Sequence, residues 1–227
     1  RELGGQIWVY TAAVAEPDCE PEVHESLTRA GARVSGFAIE WKAHWTRAME
    51  NMLDWPHLPF VHARTIGKNM ARRSDSRMDV LWEERPWGMH TRIQIDGKDE
   101  PGSLDFRWPN MMNLHIPIPN RLMVMAVACI PIDDQHTRML LVMARDFMRL
   151  PVLDWFFHRA NLRIASEDRA IVESSFPVEI PPAGDERSVR TDAPTLLFRK
   201  RYFAELAPRK ETPVEVRSRP GAGDGLE

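Results

Sequence analysis

Histidine and carboxylate side chains crowd one short stretch of this chain. The run "ENMLDWPHLPFVH", residues 50–62, holds Asn51, Asp54, His57 and His62. Neutral imidazole is a ligand for Fe, Zn, Ni or Cu, and two imidazoles plus one carboxylate on one face of an ion leave positions open for oxygen and a substrate. On an unbroken helix a five-residue separation leaves two side chains roughly 140° apart, too far round to share an ion. Pro56 and Pro59 alter this, because each removes a backbone donor and disfavours helical geometry in the residue before it, Trp55 or Leu58. A helix ending near Asp54, followed by an irregular turn, would bring both rings to one point. The competing reading makes the two histidines capping and surface groups at a helix end, and spacing alone leaves both readings open.

The elements that must position these groups follow from periodicity. Trp41, Trp45, Met49, Met52 and Leu53 recur at helical spacing, which predicts a helix from Trp41 to Asp54. Upstream, "GGQIWVY" (Gly4 to Tyr10) has the composition of a strand, while the acidic, proline-bearing "AEPDCEPEVHE" reads as a linker, with a boundary near residues 30–35. Between about Arg77 and Phe147 six β-rich segments alternate with turn signals such as Asp96-Gly97, Pro119-Asn120 and Asp133-Asp134, the pattern of an antiparallel meander. A long helix is predicted from Pro151 to about Ser174, a shorter one over 192–206, and the end of the chain has the composition of a disordered tail. Helix, strands, long helix is the order of an α+β fold in which a curved antiparallel sheet grips a helix.

The pattern N-x-x-D-x-x-H-x-x-x-x-H, met by Asn51, Asp54, His57 and His62, resembles the iron-binding motif of the Rieske non-haem iron oxygenases. The lead-in "IEWKAHWTRAMEN" and the terminal "DAPTLLFRKRYFAEL" resemble the same family, and "HLPFVH" is most similar to its monooxygenase and demethylase branch, which includes pheophorbide a oxygenase. The resemblance implies a helix-grip (START/Bet v1-like) domain that binds mononuclear Fe(II) through His57, His62 and a carboxylate on the long helix. In "SEDRAIVESS" that carboxylate is Asp168, with Glu167 and Glu173 as competitors. Asn51 becomes a supporting motif residue. Asp54 becomes the bridge that passes electrons between subunits, a use for a carboxylate that otherwise opposes the helix dipole.

A Rieske 2Fe–2S centre needs two Cys and two His, and the family's C-x-H and C-x-x-H patterns do not occur here. The cluster is therefore expected in a missing domain or a partner chain. With no initial Met, the chain reads as a fragment: residues 1–33 a remnant of the Rieske domain and its linker, 34–206 the iron-binding catalytic domain, 207–227 the tail. The family further implies O2, a small apolar or aromatic substrate that is hydroxylated or demethylated, a ferredoxin or flavin reductase as electron donor, and a homotrimer.

Thirty basic and 33 acidic residues are mixed along the chain, for a net charge of -3, so no basic stripe invites nucleic acid. No apolar run approaches the ~20 residues of a membrane span. Two cysteines, Cys19 and Cys129, are too few for a disulfide framework, which suits a cytoplasmic protein. Met111, Met112, Asn113 and His115 lie on predicted strands as candidate pocket residues, against a plain core role. His44, His90, His136 and His158 have no partner at ligand spacing. The rival function is a metal-free helix-grip protein that encloses a hydrophobic ligand. The two readings part on geometry: His57, His62 and Asp168 must converge, with Asp54 beside His57 and facing a surface.

Overall fold

The computed structural model describes residues 1–10, 20–73 and 75–207. At its start β1 (Glu2–Leu3) and β2 (Gln6–Ile7) form a small hairpin. Gly4 and Gly5 turn it with φ of 62° and 72°, the left-handed pair that a two-residue hairpin turn requires. The strand expected over Gly4–Tyr10 is thus replaced by a turn and a two-residue strand. Cys19 and the tail from residue 208 lie outside the described residues. So does the first part of the expected linker; from Glu20 onward that segment packs on the sheet, with Leu27 only 5% exposed.

Next comes β3 (Arg33–Trp41), a strand that the helical reading of Trp41 did not anticipate. It pairs along its whole length with β10 (His136–Arg145), Trp41 opposite Thr137. The helical spacing that begins at Trp41 is shared by the true helix, α1 (Trp45–Leu53), which starts only after His44 turns the chain: the His44 Nδ1 accepts from the Thr46 N–H. Two short helices follow, α2 (Leu58–Val61) and α3 (Lys68–Ala71). The meander then runs through β4 (Met78–Arg85), β5 (Gly88–Ile95), β6 (Lys98–Asp99), β7 (Ser103–Arg107), β8 (Met111–His115) and β9 (Met123–Asp133). Helix α4 (Asp154–Val172) and helix α5 (Ala193–Glu205) complete the fold.

The eight-stranded sheet is antiparallel throughout, in the order β3-β10-β9-β8-β7-β5-β4, with β6 paired to β5. Side chains alternate across it. One face carries Ile93, Leu104, Phe106, Met112, Val127 and Met143 into the main core, where they meet Met49 and Leu53 of α1, Ala165 and Val172 of α4, and Phe198 and Tyr202 of α5. The opposite face carries Ala126, Val142 and Ala144 and is covered by Val23 and Leu27 of the segment before β3. This is the α+β arrangement read from the element order, with the helices gathered on one face of an open sheet.

Candidate metal centre

Helix α1 ends where the prolines require. Asp54 leaves helical geometry with ψ of 100°, and Pro56 follows two residues on. The chain does not then wander through an irregular turn. Instead it makes the single helical turn α2, with Pro59 in its first positions, His57 as its N-terminal cap and His62 as its C-terminal cap. Two residues that bracket one turn after a sharp bend can point the same way, and the ring centroids stand 5.1 Å apart. Trp55, buried in the bend, donates from Nε1 to Thr91 Oγ1 at 2.8 Å and ties the bend to β5. After His62 the chain curls back so that the Thr65 and Gly67 amides both donate to the His62 carbonyl, at 2.9 and 3.0 Å.

From the far side α4 brings Asp168, on the helix face that also buries Ala165 and Val172. One carboxylate oxygen, Asp168 Oδ1, lies 2.9 Å from His62 Nε2 and 3.4 Å from His57 Nε2. The three side chains offer one ligand atom each within 4.8 Å of one another. His62 is 1% exposed and Asp168 5%. Asn51 Nδ2 donates to the same Oδ1 at 3.0 Å. Burial alone would raise the Asp168 carboxyl, but hydrogen bonds from His57, His62 and Asn51 overcome it and hold the group down to about 2.

The remaining ring nitrogens are also engaged. His57 Nδ1 is hydrogen-bonded to the Asp54 backbone carbonyl, and its ring stands 3.8 Å from Asp54 Oδ2. The Asp54 side chain is 37% exposed, so it sits beside His57 and reaches the surface. Desolvation raises its carboxyl, with His57 opposing. His62 Nδ1 lies 2.9 Å from Glu167 Oε2, which also accepts from Thr65 Oγ1 at 2.6 Å. Desolvation pulls the His62 imidazole down, yet its bonds to Asp168 and Glu167 leave it raised. A ring whose Nδ1 is bonded to a carboxylate presents Nε2 in a fixed orientation, the arrangement that supports metal-bound histidines. Glu167 is therefore placed behind a ring and not beside Asp168 at the centre. Glu173 is elsewhere, accepting from the Lys42 amide at 2.8 Å and from Arg169.

The residue types and geometry fit an iron or zinc-class ion: two imidazoles and an ionised carboxylate converge, and both imidazoles have a partner that fixes the ring. Next to Asn51 and Asp54 a polar cavity of about 230 Å³ opens, lined also by Arg47, Glu50, Glu186 and Arg199. A second cavity, about 280 Å³, lies between α4 and the sheet and is lined by Phe37, Met125, Leu141, Met143, His158 and Asn161, among others. Asn161 precedes Asp168 by seven residues, so the two share a helix face roughly 10 Å apart.

Of the four candidate pocket residues only Met112 is on the core face. Asn113 is paired with Asp105 and His115 with Ser103, and the two-residue alternation puts Met111, Asn113 and His115 on the face away from the triad. His44 caps α1, His136 meets Asp133 and His158 meets Phe37 edge-on at 4.6 Å. His90 does have a partner, Asp105, invisible to linear spacing because it is a neighbour only across strands. Glu167 was named from the sequence only as a rival to Asp168, and Thr65 was not named, since only tertiary packing sets them on His62.

A family model described as the vanillate O-demethylase oxygenase C-terminal domain matches residues 41–207. Among solved structures, NdmA of Pseudomonas putida CBB5 superposes with a TM-score of 0.65 at 23% identity, over 80% of this chain and 52% of that chain. NdmB from the same organism gives 0.65 at 23%, over 81% and 53%. Dicamba monooxygenase bound to dicamba gives 0.66 at 11%, over 87% and 65%. At such identities the likeness is one of fold. The chain spans about half the length of the Pseudomonas structures it matches. No curated protein matches the sequence.

Proposed function

Because the chain belongs to the family of vanillate O-demethylase oxygenase C-terminal domains, we propose that it is the catalytic domain of a Rieske-type oxygenase, an oxidoreductase that hydroxylates or demethylates a small apolar, aromatic substrate with O2. The observation that carries this reading is the convergence of His57, His62 and Asp168 within 4.8 Å in the order and chain context of the oxygenase motif. A bound Fe(II) would supply the activation of O2. The chain's own residues hold it: His57 and His62 through Nε2, Asp168 through its carboxylate, with Asn51 and Glu167 fixing two of the three.

The substrate belongs in the cavity between α4 and the sheet. Its Phe37, Met125, Leu141 and Met143 suit an apolar ring, and His158 and Asn161 offer the few polar contacts that orient a ligand. Structures of NdmA with caffeine and of dicamba monooxygenase with dicamba are consistent with a small ring compound as the class. Electrons enter on the other side. Asp54, half-buried beside His57 and next to a polar cavity, is positioned to accept a hydrogen bond from a cluster-bearing domain, of this protein or of a neighbouring subunit in a homotrimer, that a ferredoxin or flavin reductase recharges. The cluster itself, 2Fe–2S, belongs outside these residues. The metal-free ligand-binding alternative leaves the fixed ring nitrogens and the ionised buried carboxylate without a purpose.

The test is product formation by the full-length protein supplied with Fe(II), a reductase, NADH and aromatic methyl ethers. Asp54→Ala should retain stoichiometric Fe(II) yet lose about 10²-fold or more in turnover, in line with the loss of a positioned group. Unchanged turnover in Asp54→Ala would remove that residue from the electron path, and absence of oxygen incorporation across a broad panel would overturn the oxygenase reading.

A further inference from the structure

Three ligand-type side chains also meet on the opposite face of the sheet. Asp105 on β7 accepts at Oδ1 from His90 Nδ1 on β5, 2.7 Å away, and its Oδ2 lies 3.0 Å from His115 Nε2 on β8. His24, in the segment that covers this face, stands edge-on to His115 with ring centroids 4.9 Å apart. His24, Asp105 and His115 each present a ligand atom within 4.8 Å of the others, and all three are partly buried. We propose that His24, Asp105 and His115 form a second metal site, separate from the His57–His62–Asp168 centre, that takes a zinc-class divalent ion and clips the segment preceding β3 onto the outer face of the sheet.

The donor set favours that ion class: two imidazole nitrogens and one carboxylate suit Zn(II), Ni(II) or Cu(II), and three protein donors leave a position for water. Burial and the neighbouring His115 lower the His24 imidazole, while hydrogen bonds from His115 and His90 overcome the cost of burial and hold Asp105 down to about 2. Outer contacts orient the ligands as metal sites require. His90 occupies the carboxylate oxygen that His115 does not. His24 Nδ1 accepts from the Ser26 amide at 3.2 Å and lies 2.8 Å from Ser26 Oγ, contacts that fix the orientation of the ring.

The clip has a structural context. Val23 and Leu27 pack against Ala126, Val142 and Ala144, Glu22 pairs with Arg107 at 3.1 Å, and Arg149 donates to the Gly31 carbonyl at 2.8 Å. The segment is held by this small apolar patch and by a few polar contacts, and a tridentate ion would add to them. Because His24 belongs to the covering segment and the other two ligands to the sheet, the site exists only while the segment is docked.

The experiment is Zn(II) titration of the metal-stripped full chain against a chromophoric chelator, together with hydrogen exchange over residues 20–31. The wild type should take up two equivalents, and Asp105→Asn, His115→Ala and His24→Gln should each take up one, as should His62→Ala. Zinc should slow exchange in 20–31 in the wild type and in His62→Ala but not in His24→Gln, which leaves every strand pair intact and so guards against a merely misfolded sheet. Loss of all zinc in His62→Ala, or two equivalents retained in both Asp105→Asn and His24→Gln, would overturn the proposal. One equivalent in the wild type that survives His62→Ala and disappears in His24→Gln would uphold this site while telling against the first.

Discussion

At the scale of the residue, the centre depends on how each imidazole is held as much as on which atoms face inward. His62 is gripped at both nitrogens, by Glu167 and Asp168 at 2.9 Å each. Removing the outer grip while keeping size should cost affinity and not stoichiometry. Glu167→Gln is expected to bind one Fe(II) at the triad about 10- to 100-fold more weakly than wild type, measured by competition with a chelator, the range seen for outer partners of metal-bound histidines. The three converging side chains were legible in the sequence because His57, His62 and their Asp54 and Asn51 neighbours sit at short fixed spacings, and because Asp168 has a recognisable local run. Glu167 was legible only as a rival carboxylate. Adjacent residues on a helix point about 100° apart, so nothing local says that one of them faces the centre and the other stands behind a ring.

At the scale of the element, the turn that carries the histidines has one position with no latitude. A Cβ on Gly67 would stand 1.9 Å from the Leu58 carbonyl oxygen and 3.1 Å from that of His62. Gly67→Ala must therefore shift α2 or the curl after it. It is expected to cost ~2 kcal/mol in denaturant midpoint measurements and to weaken Fe(II) binding as well, because the shift acts on His62. A variant with wild-type stability and wild-type affinity would mean that this turn does not set the ring. The same region shows where sequence reading fell short. Trp41 shares helical spacing with Trp45 and Met49, but strand pairing with β10 claims it, and local periodicity carries no information about a partner nearly a hundred residues away. The break at Asp54 was legible because proline acts on its immediate neighbours. The regular turn between His57 and His62 was not, since Pro59 is tolerated in a first turn and gives no sign of which kind of turn follows.

At the scale of the molecule, arginine–carboxylate links fasten the helices to the rest. Asp154 at the start of α4 accepts from Arg33 on β3 and from the fully buried Arg145 on β10. Glu50 of α1 and Glu186 both accept from Arg199 of α5. Arg33 first, then Arg145, hold the Asp154 carboxyl below the ordinary range; Arg199 and Arg47 do so for Glu186 against the opposing effect of burial. A carboxyl lowered in the folded state contributes stability that is fully present above its unfolded value of about 4 and is lost as pH falls through the lower folded value. Urea midpoints of the metal-free chain should accordingly drop below about pH 4, and the drop should be shallower in Asp154→Asn. Asp154→Ala leaves Arg145 buried without its carboxylate and should cost about 3 kcal/mol at neutral pH. Equal pH slopes for wild type and Asp154→Asn would show that this link does not report on folding. The global order of helix, meander and long helix was readable from composition and period. The links between its parts were not, because each joins residues from distant segments.

The most direct measurement is anaerobic Fe(II) titration of the metal-stripped full chain by calorimetry, with His62→Ala and Asp168→Ala alongside and far-UV circular dichroism to establish that each is folded. One equivalent of iron in the wild type, absent from both folded variants, is the result expected if His57, His62 and Asp168 hold the catalytic metal. Iron bound undiminished by folded His62→Ala and Asp168→Ala chains would contradict it.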